Sequence, residues 1–407
     1  MSTTRPYDIV IFGASGYTGK LTAEYIATKL PTDLRWALAG RSRAKLEGVA
    51  VECKALNSDR LQPAIEVCGL NDNELDALAK KTTLLINGVG PYCLYGESTF
   101  KSCATNGTHY LDVTGEFPWV HDMIKKYEAT AKASGSIMIS QIGIESALSD
   151  LAAWTLVQMI KERFSTPTAD VVLAIDEMNV SMSGGTTHTP FALIKAYSVK
   201  DILAAGKPFA LSPVPGPKVT DTTSWFTKIF GVRTVPDLGT LTTSQSGMID
   251  TPIVQRSWGL LDYGPKFSYG EYKKVRNAFQ GVAMHIGLTI VPLFLFLPFA
   301  ETIAKFFIPA PGDGPNKEQG AKDRLEFRGI ATPDFSNPNP SRAFCHVSIE
   351  CSMYALTGAL LSEAAATILH DDHKLPGGIY TPACLGQKFI DRLEPAGFTI
   401  EKKFLEH

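Results

Sequence analysis

The sequence predicts an α/β fold. It has a doubly wound parallel sheet at the N-terminus, a second α+β domain with a mixed sheet, and C-terminal helices that return to the first domain. Three observations predict it. Ile9–Phe12 is an apolar run that breaks into glycines at 13, 16 and 19 and then into a helical stretch. Strand and helix signals alternate through the first 150 residues, as right-handed βαβ units require. Beyond residue 150 the alternation stops, and a late strand, Ala343–Cys351, alternates its faces before an apolar helix, Ser352–Leu369. The domains implied are 1–149, 150–351 and 352–407.

Each element has its own signal. Lys20–Lys29 reads as a helix stopped before Pro31, and Leu34–Gly40 as the second strand. A charged helix follows near Ala44–Leu56, then a third apolar stretch, Ala64–Val67, and an acidic helix, Asp72–Lys80. Thr83–Asn87 is strand four, Tyr110–Val113 strand five and Ile137–Ile139 strand six, separated by helices near Glu97–Thr105 and Trp119–Ala133. In the second domain Asp150–Arg163 and Thr186–Ala205 read as helices and Asp170–Ile175 as a strand. Residues 206–260 mix prolines and threonines with short apolar runs and carry no clear strand pattern. In such a fold ligands bind beyond the carboxyl ends of the parallel strands, here 87–92, 114–116 and 143–146.

The turn Gly13-Ala14-Ser15-Gly16-Tyr17-Thr18-Gly19 is a Rossmann-type dinucleotide signature, since it follows a strand and opens a helix. Glycine permits positive φ and lets a pyrophosphate approach without a Cβ in the way. The helix N-terminus then receives the anion. At the end of strand two an NAD-specific site offers Asp or Glu to the ribose; this chain offers Gly40-Arg41-Ser42-Arg43. A guanidinium grips a 2′-phosphate through paired bonds and a serine adds a donor, so the cofactor implied is NADP(H).

Asn87-Gly88-Val89-Gly90 allows close backbone approach to that cofactor, and Pro91-Tyr92 adds a rigid aromatic ring. Tyr92 reads as a proton donor, a stacking wall or plain packing. Asp112, Glu116 and Glu145 stand at strand ends, where acids orient a ribose or substrate and also cap helices. Ser181–Gly185 reads as a flexible turn, and His188, after Ser183-Gly184-Gly185-Thr186-Thr187, reads either as a cleft residue or as a surface histidine. Tyr92, Glu145 and His188 are the catalytic candidates. No Ser-His-Asp or Cys-His arrangement is legible, which leaves no case for hydrolysis.

The composition, 44% hydrophobic and 20% charged over 407 residues, is that of a folded globular protein of about two domains. A net charge of −2 without a basic run excludes a nucleic-acid surface. Seven scattered cysteines, none in a CxxC pair, read as reduced thiols of a cytoplasmic protein and leave no zinc site. His370-Asp371-Asp372-His373 reads as a solvated helix terminus rather than a metal site. Met1–Asp8 is short and polar, unlike a signal peptide.

Phe279–Ala300 holds no Asp, Glu, Lys or Arg, and 286–300 is nearly continuous apolar surface. Three readings fit: a surface hairpin docking on a membrane or lipid droplet, a buried core or homodimer interface, and a membrane span. Pro292 and Pro298 interrupt a spanning helix. Lys305 would serve as an interfacial anchor.

Several motifs occur together in order: the glycine turn, Ala39-Gly40-Arg41, Asn87–Tyr92, Tyr95-Gly96-Glu97, Asp112-Val113-Thr114-Gly115-Glu116, Gly312-Asp313-Gly314-Pro315 and Gly377–Pro382. With them the chain resembles the saccharopine dehydrogenase-like oxidoreductases over nearly its whole length. The branch in question holds the animal lipid-droplet-associated members and the mycobacterial trans-acting enoyl reductases. The resemblance implies an NADP-binding Rossmann domain, a mixed-sheet domain and NADPH-dependent reduction of a conjugated C=C in a lipid- or polyketide-like small molecule. Reduction of C=N, as in the amino-acid branch, is the enzymatic alternative, and a non-catalytic NADPH-binding lipid-surface protein the other. Relatives often carry Gly-x-Asp-Ser-x-Pro where this chain has Gly143-Ile144-Glu145-Ser146-Ala147-Leu148.

Overall fold

The structure is a computed structural model that describes residues 5–218, 223–295, 297, 299–304, 306–310, 312–335, 340–371 and 375–406. Two seven-stranded sheets organise it. The first contains β1 (Tyr7–Phe12), β2 (Trp36–Gly40), β3 (Ala64–Val67), β4 (Thr82–Asn87), β5 (His109–Asp112) and β6 (Ile137–Ile139). These are β7 (Thr168–Asn179), β8 (Arg233–Val235), β9 (Gly239–Thr243), β10 (Ser268–Lys274), β11 (Arg324–Pro333), β12 (Arg342–Ile349) and β14 (Glu401–Leu405) in the second, with β13 (Gly378–Tyr380) joining the first. The first sheet runs β13-β6-β5-β4-β1-β2-β3, all parallel, and the second β14-β12-β11-β7-β10-β9-β8, mixed.

The α/β fold class therefore holds, and the burial pattern explains it. Ile9 to Phe12 are essentially inaccessible on both faces, the condition that makes an unbroken apolar run a central parallel strand. β12 buries alternate residues only, because its other face meets solvent. Between the sheets lies one long helix, Ile144–Phe164, buried nearly all round, with Leu148, Leu151, Leu156 and Ile160 in the same core as Leu173, Phe327 and Val347. Each such side chain contributes about 1.5–3 kcal/mol by leaving water.

Several boundaries differ from expectation. The linking helix starts at Ile144 instead of Asp150, so Glu145 and Ser146 belong to its first turn. The stretch 186–205 is two helices, Gly184–Ala196 and Val199–Ala205, because Ser198 and Asp201 form a capping box that starts a new helix. The C-terminal piece serves both sheets. Its helix Met353–His370 packs on the helix Tyr17–Lys29, where Tyr25 donates to Glu363 at 3.0 Å. Its last strand, β14, instead extends the second sheet. Asp372 and His373 lie outside the described residues.

The apolar stretch forms a 17-residue helix, Ala278–Phe294. It is not core: Phe279 is 85% exposed and Leu293 63%. Among the described residues no helix is long and apolar enough to cross a membrane. Pro298 and Lys305 lie outside the described residues.

Candidate functional site

The glycine turn has the geometry that its spacing predicts. Gly13 sits at φ +87°, and a Cβ there would meet Val89 Cγ2 at 2.8 Å. A Cβ on Gly19 would meet the Gly13 carbonyl oxygen at 2.4 Å. The loop closes through Gly13 N to Ala39 O at 2.9 Å and Gly88 N to Phe12 O at 2.8 Å, which stitches the β1, β2 and β4 ends together. The helix Tyr17–Lys29 begins at Gly16 with no side-chain cap and no acid in its first turn. Ala14, Ser15, Tyr17 and Thr18 thus surround an uncapped helix N-terminus suited to an anion.

Past β2, Arg41 is exposed and makes no hydrogen bond or ion pair among the described residues, whereas Arg43 lies 3.7 Å from Glu47. Ser42 occupies the N-cap of the helix Arg43–Leu56 but makes no capping bond, so its hydroxyl remains available. A free guanidinium and a free hydroxyl beside an uncapped helix end fit a dinucleotide that carries a 2′-phosphate.

The β4 and β5 ends hold each other rigidly. Asn87 donates to the Tyr110 hydroxyl and accepts from Val89 N, both at 3.0 Å, which shapes the Gly88–Pro91 loop. Tyr92 is buried; its hydroxyl donates to Asn87 O at 2.8 Å and its ring lies 5.5 Å from Trp119. Burial first, then nearby Asp112, holds its proton well above the ordinary phenol range. Of its three readings, packing is the one this geometry matches, because the hydroxyl is spent on the backbone. Glu116 accepts from Tyr92 N and Cys93 N, both at 2.7 Å, and so caps the turn Tyr92–Tyr95. Asp112 is fully buried. It accepts from Thr114 N and Gln141 N at 3.0 Å and from Ser140 Oγ at 2.9 Å. Burial raises it to about 6. It ties the β5 and β6 loops together and offers no free oxygen to a ribose.

Glu145 opens the linking helix and lines a cavity of about 20 Å3 enclosed by that helix, the helix Gln245–Leu261 and the second sheet. Two further acids line it, Asp250 from the helix Gln245–Leu261 and Glu271 from β10. Ser146 and Ser149 donate to the two Asp250 oxygens at 3.1 and 3.2 Å. Tyr269 donates to Glu271 Oε2 at 2.9 Å. Burial and then the charge of Glu271 push Glu145 up to about 7. Ile249, the neighbour of Asp250 in sequence, lies near the loop after β5: a Cβ on Gly115 would stand 3.9 Å from it. Asp250 and Glu271 escaped the sequence reading, and no spacing links them to Glu145.

His188 lies in the helix Gly184–Ala196, which packs on the turn Tyr92–Tyr95. Its Nε2 is 3.2 Å from Pro309 O, and among the described residues it makes no hydrogen bond to Tyr92 or Glu145. The three catalytic candidates are therefore not one hydrogen-bonded unit. A second missed feature joins the domains. The Tyr17 hydroxyl donates to Pro315 O at 2.6 Å, and the Tyr354 ring meets the Tyr17 ring edge-on at 5.1 Å.

Comparison with known proteins follows the same lines. The saccharopine dehydrogenase NADP binding domain family matches residues 9–139. A trans-acting enoyl reductase assignment belongs to a Mycobacterium tuberculosis protein 30% identical to this chain over 98% of both chains. The trans-acting enoyl reductase of Mycobacterium leprae is 28% identical over 97% of both. Saccharopine dehydrogenase (L-Glu forming) from Saccharomyces cerevisiae superposes with a TM-score of 0.58, at 11% identity, over 98% of this chain and all (100%) of that one. A homospermidine synthase from Legionella pneumophila, solved with NAD, gives 0.51 at 11% identity over 98% of this chain and 92% of that one. At that identity the two structures share the fold.

Proposed function

The chain belongs to the saccharopine dehydrogenase-like family of NADP-binding oxidoreductases, and from that premise we propose that it is an NADPH-dependent reductase of an activated C=C bond in a lipid- or polyketide-like enoyl compound. The observation that carries this reading is the chemistry of the cavity that Glu145 lines. Its wall is apolar at Leu148, Leu173, Ile175, Leu325 and Phe327, and among the described residues no Lys, Arg or His lines it. A saccharopine-type imine bears several carboxylates and needs converging cations; here it would meet Glu145, Asp250 and Glu271. A neutral enoyl carbonyl oxygen, the size of group that a cavity of about 20 Å3 admits, meets no such opposition.

The chain's own residues divide the binding work. The Gly13–Gly19 turn and the helix N-terminus hold the pyrophosphate, and Arg41 with Ser42 the 2′-phosphate. Asn87–Pro91 forms a floor that Tyr92 and Glu116 keep rigid from behind. NADPH, when bound, supplies a hydride for an electron-poor carbon. The exposed apolar helix supports a second element of the reading, docking on a lipid surface from which such a substrate is drawn.

The test is full-length protein with NADPH and a panel of enoyl thioesters, enones, ketones and cyclic imines. Oxidation of NADPH with deuterium transfer from the 4-deuterated coenzyme to the enoyl β-carbon is expected. Turnover of imines alone would move the assignment to C=N reduction. Tight NADPH binding with no turnover across the panel would leave a non-catalytic NADPH-binding protein.

A further inference from the structure

The three cavity acids come from three elements, and no opposite charge offsets them. Glu145 arrives on the linking helix, Asp250 on the helix Gln245–Leu261, and Glu271 with Tyr269 on β10. β7 and β11 complete the wall with Leu173, Ile175, Met178, Leu325 and Phe327, none of which titrates. Among the described residues no group of His, Cys, Asp or Glu side chains is arranged to hold a metal ion. Like-charged carboxylates in an apolar enclosure cannot all ionise near neutral pH.

The hydrogen bonds show where the cluster is incomplete. Both Asp250 oxygens are met by serine hydroxyls, and Glu271 Oε2 by Tyr269. Glu271 is only 5% exposed, and its Oε1 is buried with no hydrogen-bond partner. Leaving a buried polar atom without a partner is unfavourable, so such an atom on a residue that lines a cavity marks a place for a ligand atom. At about 20 Å3 the cavity holds one oxygen-sized group.

We propose that Glu271 carries a proton on Oε1 at neutral pH, beside the buried Asp250, and presents it, as a neutral carboxylic acid, to the carbonyl oxygen of an acyl ligand. The ligand class is a neutral, carbonyl-bearing group such as a thioester or enone. Burial holds both acids above the ordinary carboxylate range, in keeping with this. A carbonyl held by that O–H is polarised, which draws electron density from a conjugated C=C and makes its far carbon electron-poor. The inference rests on the enoyl reading but can be tested apart from it.

The experiment uses full-length protein without NADPH, so that nothing turns over. Its probes are S-crotonyl-N-acetylcysteamine, crotonate and butylammonium. Infrared spectra of wild type minus the Asp250→Asn/Glu271→Gln double variant at pH 7 should show the C=O band of a protonated carboxyl beyond any signal from Glu145, which both proteins keep. The thioester C=O stretch should move to lower frequency on binding. Glu271→Gln keeps a donor, so thioester affinity should stay within about threefold of wild type while its decline at high pH disappears; Glu271→Leu should weaken it at least tenfold. NADPH affinity, set at the far loop, serves as the folding control. If the variants do not fold, the thioester C=O stretch on wild-type protein decides alone. No protonated-carboxyl band at pH 7, an unshifted thioester carbonyl, or tighter binding of butylammonium than of thioester would overturn the proposal. A shifted carbonyl without any NADPH-dependent turnover would sink the reductase reading and leave this site standing; turnover with an unshifted carbonyl would do the reverse.

Discussion

Gly314 lies flat against the ring of Tyr17, so close that a Cβ on the glycine would meet ring carbons at 2.6 Å. Tyr17 belongs to the dinucleotide turn, and Gly314 to the segment that follows the apolar helix. Gly184 N, at the start of the His188 helix, donates to Asp313 O at 2.9 Å. The second domain is thereby fastened onto the glycine turn proposed to receive the pyrophosphate. Gly314→Ala should push the Tyr17 ring or the segment aside at a cost of about 1–3 kcal/mol. Calorimetry should then show NADPH affinity lowered roughly tenfold. Unchanged affinity would show that the fastening has no bearing on the coenzyme.

Arg41 and Arg43 are two residues apart, but only Arg43 has an acidic partner, Glu47. Charge-assisted bonds to a phosphate are worth about 1.5–3 kcal/mol. Arg41→Ala should therefore weaken NADPH roughly 10- to 100-fold while NADH stays within about twofold. Arg43→Ala should change either by less than about threefold, because its loss removes only an exposed ion pair. Equal losses of NADPH and NADH in Arg41→Ala would refute the 2′-phosphate assignment.

The legible part of the molecule was the part whose signals are local. Ile9–Phe12 and the glycine turn announce themselves because strand, turn and helix follow one another without a gap. The carboxyl cluster was not legible, since Glu145, Asp250 and Glu271 meet only through the packing of three distant elements. The helix that carries Asp250 holds Gly247 and Pro252, which weaken any helical signal in its sequence. Gly247 is needed there: a Cβ would meet the Glu271 carbonyl oxygen at 2.6 Å. Tyr92 shows a different limit. Its residue type permits a proton donor, and only depth and the Asn87 contact show that its hydroxyl is occupied. β13, three residues long, is too short to carry any period.

Asp150 gives a pH prediction. Fully buried, it accepts from Ser257 Oγ at 2.6 Å and Ala383 N at 2.8 Å, and burial raises it to about 7. Its folded-state pKa is above the unfolded value, so its contribution to stability is complete below about pH 4 and is lost as pH rises to about 7. The full span is on the order of 4 kcal/mol. Thermal melting should show stability falling from about pH 5 to pH 7.5. Asp150→Asn, which cannot ionise, should start lower because it loses an acceptor, yet decline less steeply. The same slope in both proteins would mean that Asp150 titrates normally.

The apolar helix Ala278–Phe294 is fixed on one side only. Thr242 Oγ1 donates to Gly281 O at 2.8 Å, and the Thr243 hydroxyl meets His285 Nδ1 at 2.8 Å, anchoring the helix to β9. The other side exposes Phe279, Leu293 and Phe294, continued by Phe306 and Phe307. The neighbouring helix Trp225–Phe230 adds Trp225 and Ile229. Each phenylalanine that moves from water into a bilayer interior gains about 1.5–3 kcal/mol, and several side by side make a docking face. Full-length protein should float with phosphatidylcholine vesicles in a density gradient. Leu293→Glu with Phe306→Glu and Phe307→Glu should lower the bound fraction at least tenfold, since burying one carboxylate costs more than one ring gains. NADPH affinity should stay within about twofold, as none of the three touches the coenzyme loop. Wild-type protein that stays at the bottom of the gradient, or a triple variant that floats as well, would show that lipid is not what covers this face. Sedimentation velocity would then ask whether a second copy of the chain does.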